Sequence, residues 1–266
     1  MNGNETRKKS HPDEEELIHS DDVEIIDFEE MDMSDATVIA GFPSIGMVST
    51  IVANYLIDAF GLKQIGALNS AQFPPLSVVH TGEPLSPVRI YAGKLESGEK
   101  IAVFVSEFKP KPNLINSLSY TVINWVHEKR CNLLISPEGM VVEGEEENIA
   151  EAFAIGSTEE ARAMLRERNI PQFKNGIIAG VSGVLLNIGK QAGYNVIALL
   201  AEAHPNIPDA GAAASAINVI ASIIGIEINV GPLYDEAGRI EKQLQKFHKQ
   251  AKPMASDRVP QPSMYG

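Results

Sequence analysis

Thiols are almost missing from this chain. Its single cysteine, Cys131, excludes an internal disulfide and cannot alone build a thiolate metal site. It sits in C-N-L-L-I, which reads as a buried strand, and that setting favours an inert thiol over a nucleophile. Basic charge is also short. Lys and Arg number 22 against 35 Asp and Glu, a net charge of −13, which argues against a nucleic-acid or anionic-membrane binder. Apolar runs such as Ala212–Ile226 are interrupted or too short to span a bilayer. The start, M-N-G-N-E-T-R-K-K-S-H-P-D-E-E-E, has no apolar core and does not read as a signal peptide. A soluble cytoplasmic protein is the expectation. Solenoid-type repeats are absent as well.

What is present is enough apolar material, 44% of 266 residues, to bury one full core or at most two. Residues 1–20 are polar, mixed in charge and expected to be disordered. Residues 21–252 read as a single α/β domain, and 253–266, with three prolines, as a flexible tail. The domain is organised around Ala36–Gly61. There Val38-Ile39-Ala40 predicts a buried strand, Gly41-Phe42-Pro43-Ser44 a break, and Ile45, Val48, Val52, Leu56 and Ala59 one face of a helix over 44–60.

Strands are predicted at 23–28, 65–68, 76–80, 88–94, 100–106, 132–136, 149–155 and 194–201. Glu96-Ser97-Gly98-Glu99 reads as a hairpin turn, so part of the sheet should be antiparallel. Helices are predicted from Asn113 to Arg130, from Ser157 to Asn169, over 184–192, and from Asp209 to Ile224. Strands alternating with helices imply a three-layer α/β/α sandwich with a mixed central sheet. A last helix, Asp235–Lys252, carries Ala237, Ile240, Leu244, Phe247 and Ala251 at heptad-like spacing, suited to its own core or to a subunit contact.

The glycine turns invite three enzyme templates, and each fails. Gly46 is followed by Met47 and Val48 rather than the Lys-Ser/Thr of a phosphate-binding loop. Neither turn has the G-x-G-x-x-G spacing of a dinucleotide site. In Gly180-Val-Ser182-Gly183 the last glycine comes one place too early for a hydrolase elbow. The best remaining acid–base group is Glu202-Ala-His204 with Asp209, whose side chains can equally cap the next helix. Glutamates at 143, 145, 146 and 147 lack the alternating oxygens of a calcium loop and read as a solvated face. No cofactor and no metal is expected.

The chain ends in Met264-Tyr265-Gly266: an apolar residue, a penultimate tyrosine and a carboxylate. Such an ending suits docking, because the carboxylate can pair with a lysine while the ring fills a pocket. Fully extended, residues 253–266 reach roughly 45 Å.

Three stretches carry a resemblance. They are G-F-P-S-I-G-M-V-S-T-I-V-A-N-Y-L-I at 41–57, G-I-I-A-G-V-S-G-V-L-L-N at 176–187, and A-E-A-H-P-N-I-P-D-A-G-A-A-A at 201–214. Together they resemble signature segments of the PAC2 family, archaeal relatives of eukaryotic proteasome assembly chaperone 2. The resemblance covers roughly residues 23–250. It implies a phosphorylase-like α/β/α fold without established catalysis, self-association, and in archaeal members interaction with the proteasome core particle. Some members end in a hydrophobic-Tyr-X motif that docks between α-subunits, and Met264, Tyr265 and Gly266 match it. The expectation is a non-enzymatic assembly chaperone or ATP-independent activator, with the proteasome α-ring and further copies of itself as partners. The alternative is a nucleoside-phosphorylase-like enzyme or small-ligand binder. It would use Gly41, Pro43 and Ser44, a pocket whose chemistry is otherwise vestigial, together with Glu202 and His204.

Overall fold

A computed structural model describes residues 22–141 and 151–235. The polar head, the acidic loop at 143–147, most of the last predicted helix and the Met264–Gly266 tail lie outside the described residues.

Two strands set the frame. β2 (Thr37–Gly41) is buried along its whole length, and β7 (Lys100–Ser106) is buried from its second residue onward. They pair in parallel, Ile39 opposite Val103. On the other side of β2 runs β8 (Leu133–Val141), then β10 (Val196–Ala203), both parallel to it. Beyond this parallel centre the sheet turns antiparallel at both edges. β6 (Val88–Lys94), β3 (Lys63–Asn69) and β1 (Glu24–Asp27) extend one side, and β9 (Ala152–Gly156) closes the other. The result is one eight-stranded mixed sheet in the order β1-β3-β6-β7-β2-β8-β10-β9.

Helices cover both faces. On one side lie α1 (Val48–Ala59), α3 (Glu159–Glu167) and α5 (Ala210–Ile224). On the other lie α2 (Pro112–Glu128) and α4 (Gly180–Ala192). The inner face of α2 is the predicted one: Leu114, Leu118, Val122 and Val126, four residues apart, are all buried. Phe104 meets Trp125 edge-on beneath it at 5.2 Å between ring centres. Helix starts follow capping chemistry. Thr158 accepts from the Ala161 amide at 3.0 Å, and Asp209 Oδ1 accepts from the Ala212 amide at 2.8 Å. Asn113 does not cap α2. Pro112 fills the first position, where no donor is needed, and the Asn113 amide donates to Gln72 Oε1 at 2.8 Å.

Two departures from the sequence reading matter later. The helix predicted from residue 44 begins at Val48, after a single 3-10 turn over Ile45–Met47, because Gly46 (φ 61°) and Met47 (φ 53°) are left-handed. The strand predicted at 76–80 is shorter and pairs outside the main sheet. β4 (Val78–His80) and β5 (Glu83–Leu85) form a separate hairpin through Thr81 and Gly82, both with positive φ.

β2 leads into α1 on one face, whereas β7 leads into α2 on the other. Adjacent parallel strands whose connections leave in opposite directions open a crevice at their carboxyl ends, where α/β folds place ligands. Gly41–Ser44 lies at that crevice. Among the described residues no helix is long and apolar enough to cross a membrane.

Candidate functional site

The crevice is filled by the chain itself. A Cβ on Gly41 would stand 2.4 Å from Ala53 Cβ and 2.8 Å from the Phe104 carbonyl oxygen, so this glycine lets α1 sit directly on β2. One on Gly139, in β8, would stand 2.1 Å from the Ile45 carbonyl oxygen. The 3-10 turn therefore rests on β8 without a gap.

Ser44, the hydroxyl of the turn, is fully engaged. Its Oγ accepts from the Ser49 amide at 3.2 Å and the Gly139 amide at 3.3 Å, and the Ser49 hydroxyl also donates to it. The amides at the start of α1 are spent in the same way: Met47 N donates to Ser44 O, and Val48 N to Ile45 O. A phosphate cradle needs such amides pointing outward and a cation beside them. Pro43 removes one more donor, and neither 41–47 nor 202–209 contains Lys or Arg. What remains is a turn that fastens a helix to a sheet.

The structure does bring the two predicted segments together. The Asp209 amide donates to Gly46 O at 2.8 Å, and a Cβ on Gly46 would meet Ala203, His204 and Asp209 at 3.0–3.2 Å. Within this contact Asp209 is the pivot. Its Oδ2 takes the His204 amide at 3.0 Å and pairs with His204 Nδ1 at 2.7 Å, while Oδ1 caps α5. The imidazole is thus oriented by a carboxylate, with most of its surface in solvent. Glu202 faces elsewhere, its Oε2 accepting from the Glu151 amide at 3.2 Å. A histidine held by an aspartate can move a proton, but proton transfer needs a reacting group within reach. The hydroxyl of the neighbouring turn is tied into Ser49 and Gly139.

Two polar clusters escaped the sequence reading. Glu138, on β8, accepts from Ser182 Oγ at 2.8 Å, and Ser182 Oγ lies 2.9 Å from Ser136 Oγ. This chain links the sheet to the first turn of α4. Burial pushes the Glu138 carboxyl up to about 7, against the opposing pull of the Ser182 bond and the Lys109 charge. Ser182 donates to a carboxylate and is held by it. The second cluster is Arg89, buried on β6. Its guanidinium donates to Glu107, to Ser86 O at 2.9 Å and to Tyr91 Oη at 3.2 Å. Those bonds tie the start of β6 to the end of β7, a fixing of register more than a source of stability. The only sequence signal for either cluster was Ser182, inside the failed elbow motif.

Fold and crevice together define an α/β/α sandwich with its ligand position closed. Comparison with known proteins carries this further. The PAC2 family model matches residues 38–248, and the chain belongs to that family. PbaA of Pyrococcus furiosus, an archaeal homologue of proteasome-assembly chaperone, is 30% identical in sequence. Its crystal structure superposes with a TM-score of 0.78 over 87% of this chain and 94% of that one. PbaB of the same organism, an archaeal proteasome activator, shares the fold at 23% identity, with a TM-score of 0.75 over 85% of this chain and 99% of that one. An uncharacterised protein of Methanocaldococcus jannaschii is 27% identical over 92% of this chain and 99% of its own length.

Proposed function

We propose that this protein is a non-enzymatic proteasome assembly chaperone or ATP-independent proteasome activator. It presents Met264-Tyr265-Gly266 to pockets of the proteasome α-ring. The observation that carries the reading is this C-terminal tripeptide, at the end of a chain related to PbaA. The crevice supports it from the other direction, since the turn, its hydroxyl and its helix amides are spent on internal contacts. One tripeptide anchor binds weakly. Several tethered copies on a homo-oligomer act at an effective concentration in the millimolar range, roughly 10²–10⁴ tighter than one anchor alone. Cytoplasmic residence follows from such a partner.

Capture of proteasome α-rings by the full chain and by a chain lacking Met264–Gly266 tests the reading. Loss of capture on deletion is expected. Undiminished capture removes the tail from the mechanism. A second reading has one observation in its favour, the orientation of His204 by Asp209. It makes the protein a nucleoside-phosphorylase-like enzyme, and phosphorolysis of purine nucleosides that disappears in His204→Ala would establish it.

A further inference from the structure

The second glycine turn, ahead of α4, is not filled as the first is. The chain enters it from a bridge between Gln172 and Ala154 and leaves it at Gly180, where α4 begins. Beside it lies a cavity of about 200 Å³, walled by Ile155, Phe173 and Leu186 and edged by Lys174, Asn175 and Gly176. The run from Lys174 to Ile177 is exposed, Ile177 to 94%. Gly176 has φ 152°, and a Cβ there would stand 2.3 Å from Phe173 Cζ, so the ring lies directly on the backbone. Neither the Asn175 side chain nor the Gly176 amide makes a hydrogen bond among the described residues.

We propose that Asn175-Gly176 is a site of spontaneous covalent modification, where the asparagine side chain closes onto the next amide and reopens as aspartate or isoaspartate. The Gly176 nitrogen attacks Asn175 Cγ, and the bond from Cγ to the side-chain nitrogen breaks. That nitrogen leaves as ammonia, carrying the proton given up by the attacking amide. A five-membered succinimide remains, and water adds to one of its two carbonyls. Opening at the side-chain carbonyl restores the main chain and leaves aspartate. Opening at the main-chain carbonyl routes the chain through Cγ and leaves isoaspartate. The net exchange is ammonia for water, so no oxidant, cofactor or enzyme is required.

Asparagine is a thermolabile residue, and the fold decides which ones react. Nucleophile and electrophile are already joined by the chain, so closure is intramolecular and limited by access and backbone freedom. Asn175 is the one asparagine among the described residues that is followed by glycine, where no side chain shields the attacking nitrogen. Asn116 precedes a serine, but inside α2, where helix bonds hold the backbone. Asn229 precedes Val230, whose branched side chain hinders approach, and its Oδ1 accepts from the Gly231 amide at 3.0 Å. At Asn175 none of these restraints operates. The product carboxylate follows Lys174 in the chain and makes the net charge of −13 one unit more negative. Isoaspartate also lengthens the main chain by one carbon where the Phe173 ring rests on Gly176. That shifts a wall of the cavity and the entry to α4, whose first turn holds Glu138 through Ser182.

The full chain, held folded at neutral pH and sampled over weeks, tests this by mass-spectrometric peptide mapping. A free peptide of residues 170–180 supplies the reference rate. Exchange of amide for acid at position 175 is expected within about ten-fold of the peptide's rate, and faster in alkaline than in mildly acidic buffer. Slower exchange, or none while the peptide converts, overturns the proposal. Both aspartate and isoaspartate should appear there; aspartate alone would exclude the cyclic intermediate. Asn175→Gln, which would have to close a less favourable six-membered ring, should remain an amide over the same period. Exchange in Asn175→Gln at the native rate would point to direct attack by water and sink the cyclisation. The isoaspartate form, separated by anion exchange, should unfold at a lower temperature than Asn175→Asp, which carries the charge without the added carbon. Equal Tm values would overturn the reshaping of the turn.

Discussion

The two glycine turns look alike in sequence and do opposite things. The first runs from β2 and the second from an isolated bridge at Gln172, each into a helix, and each carries paired glycines and a serine. At the first turn the missing Cβ atoms are replaced by other parts of the protein: Ala53 against Gly41, the Ile45 carbonyl against Gly139, the 203–209 loop against Gly46. At the second, Gly176 and Gly183 bring walls close to one another and leave a cavity between them. Glycine at a turn therefore signals close approach. It does not say whether the approaching partner is the protein or something the protein receives.

The sharpest way to break this contrast is Gly139→Ala. The new Cβ would meet a backbone carbonyl, which cannot swing aside as a flexible side chain can. A loss of about 3 kcal/mol is expected, which is roughly 6–12 °C in Tm for a domain of this size. Gly180→Ala is the counterpart, with open space around it and only its φ of 75° against it, so about 1–2 kcal/mol is expected. Equal losses in thermal unfolding would mean that the backbone around Gly139 yields as readily as the open space at Gly180.

Glu138 stands between the two turns, next to Gly139 and bonded to Ser182. Its folded value, near 7, lies above its ordinary 4.5, so the folded protein holds the proton more strongly than the unfolded chain. The neutral acid's contribution is complete below about pH 4.5, declines as pH rises, and is lost through about pH 7. Glu138→Gln should match the native protein near pH 4 and exceed it by about 1–3 kcal/mol at pH 8, read from urea midpoints. A gain that is the same at both pH values would show that burial of charge is not the cause.

Asp209→Ala removes the α5 cap and releases His204 together. A loss of about 1–2 kcal/mol is expected in the same unfolding measurement. A smaller effect than at an ordinary cap would argue that Asp209 is under strain serving His204. Gly176→Ala has the Phe173 ring to push aside and a φ of 152° against it, so about 1–3 kcal/mol is expected in the same measurement.

Much of the fold was legible because its signals are local. The spans of β6 and β7 follow from alternation around Glu96-Ser97-Gly98-Glu99, and the inner face of α2 follows from a four-residue repeat. The misses have long-range causes. Gly46 and Met47 are left-handed where the turn packs on His204 and Asp209, more than 150 residues away. β8 runs on to Val141 through Pro137 and Gly139, residues that end a strand in most sequences. It persists because β10 pairs along its length, and pairing with β2 has already stopped at Ile135, which leaves room for a residue without a donor. β5 was hidden by its shortness and by Pro84.

The site was legible in a different sense. Gly41, Pro43, Ser44, Glu202 and His204 were recognisable as a group; the structure places their segments in contact through Asp209 and Gly46, while Glu202 turns away to the Glu151 amide. Whether that group is hollow or packed depends on Ala53, Ile45 and Gly139, whose proximity no local pattern records. Glu138 was invisible for a similar reason. An acid inside S-P-E-G reads as a loop, and only the burial of its strand raises it.

Cys131 gives this molecule a practical property. The thiol is buried beneath α2, and burial pushes it up to about 12, so at neutral pH it stays protonated and shielded from alkylating reagents. Treatment of the folded chain with a maleimide should therefore leave Cys131 unmodified. A reporter thiol placed anywhere on its surface, or just ahead of the last three residues, becomes the sole labelled position without any change to the core. The protein comes ready for spectroscopy of its own tail.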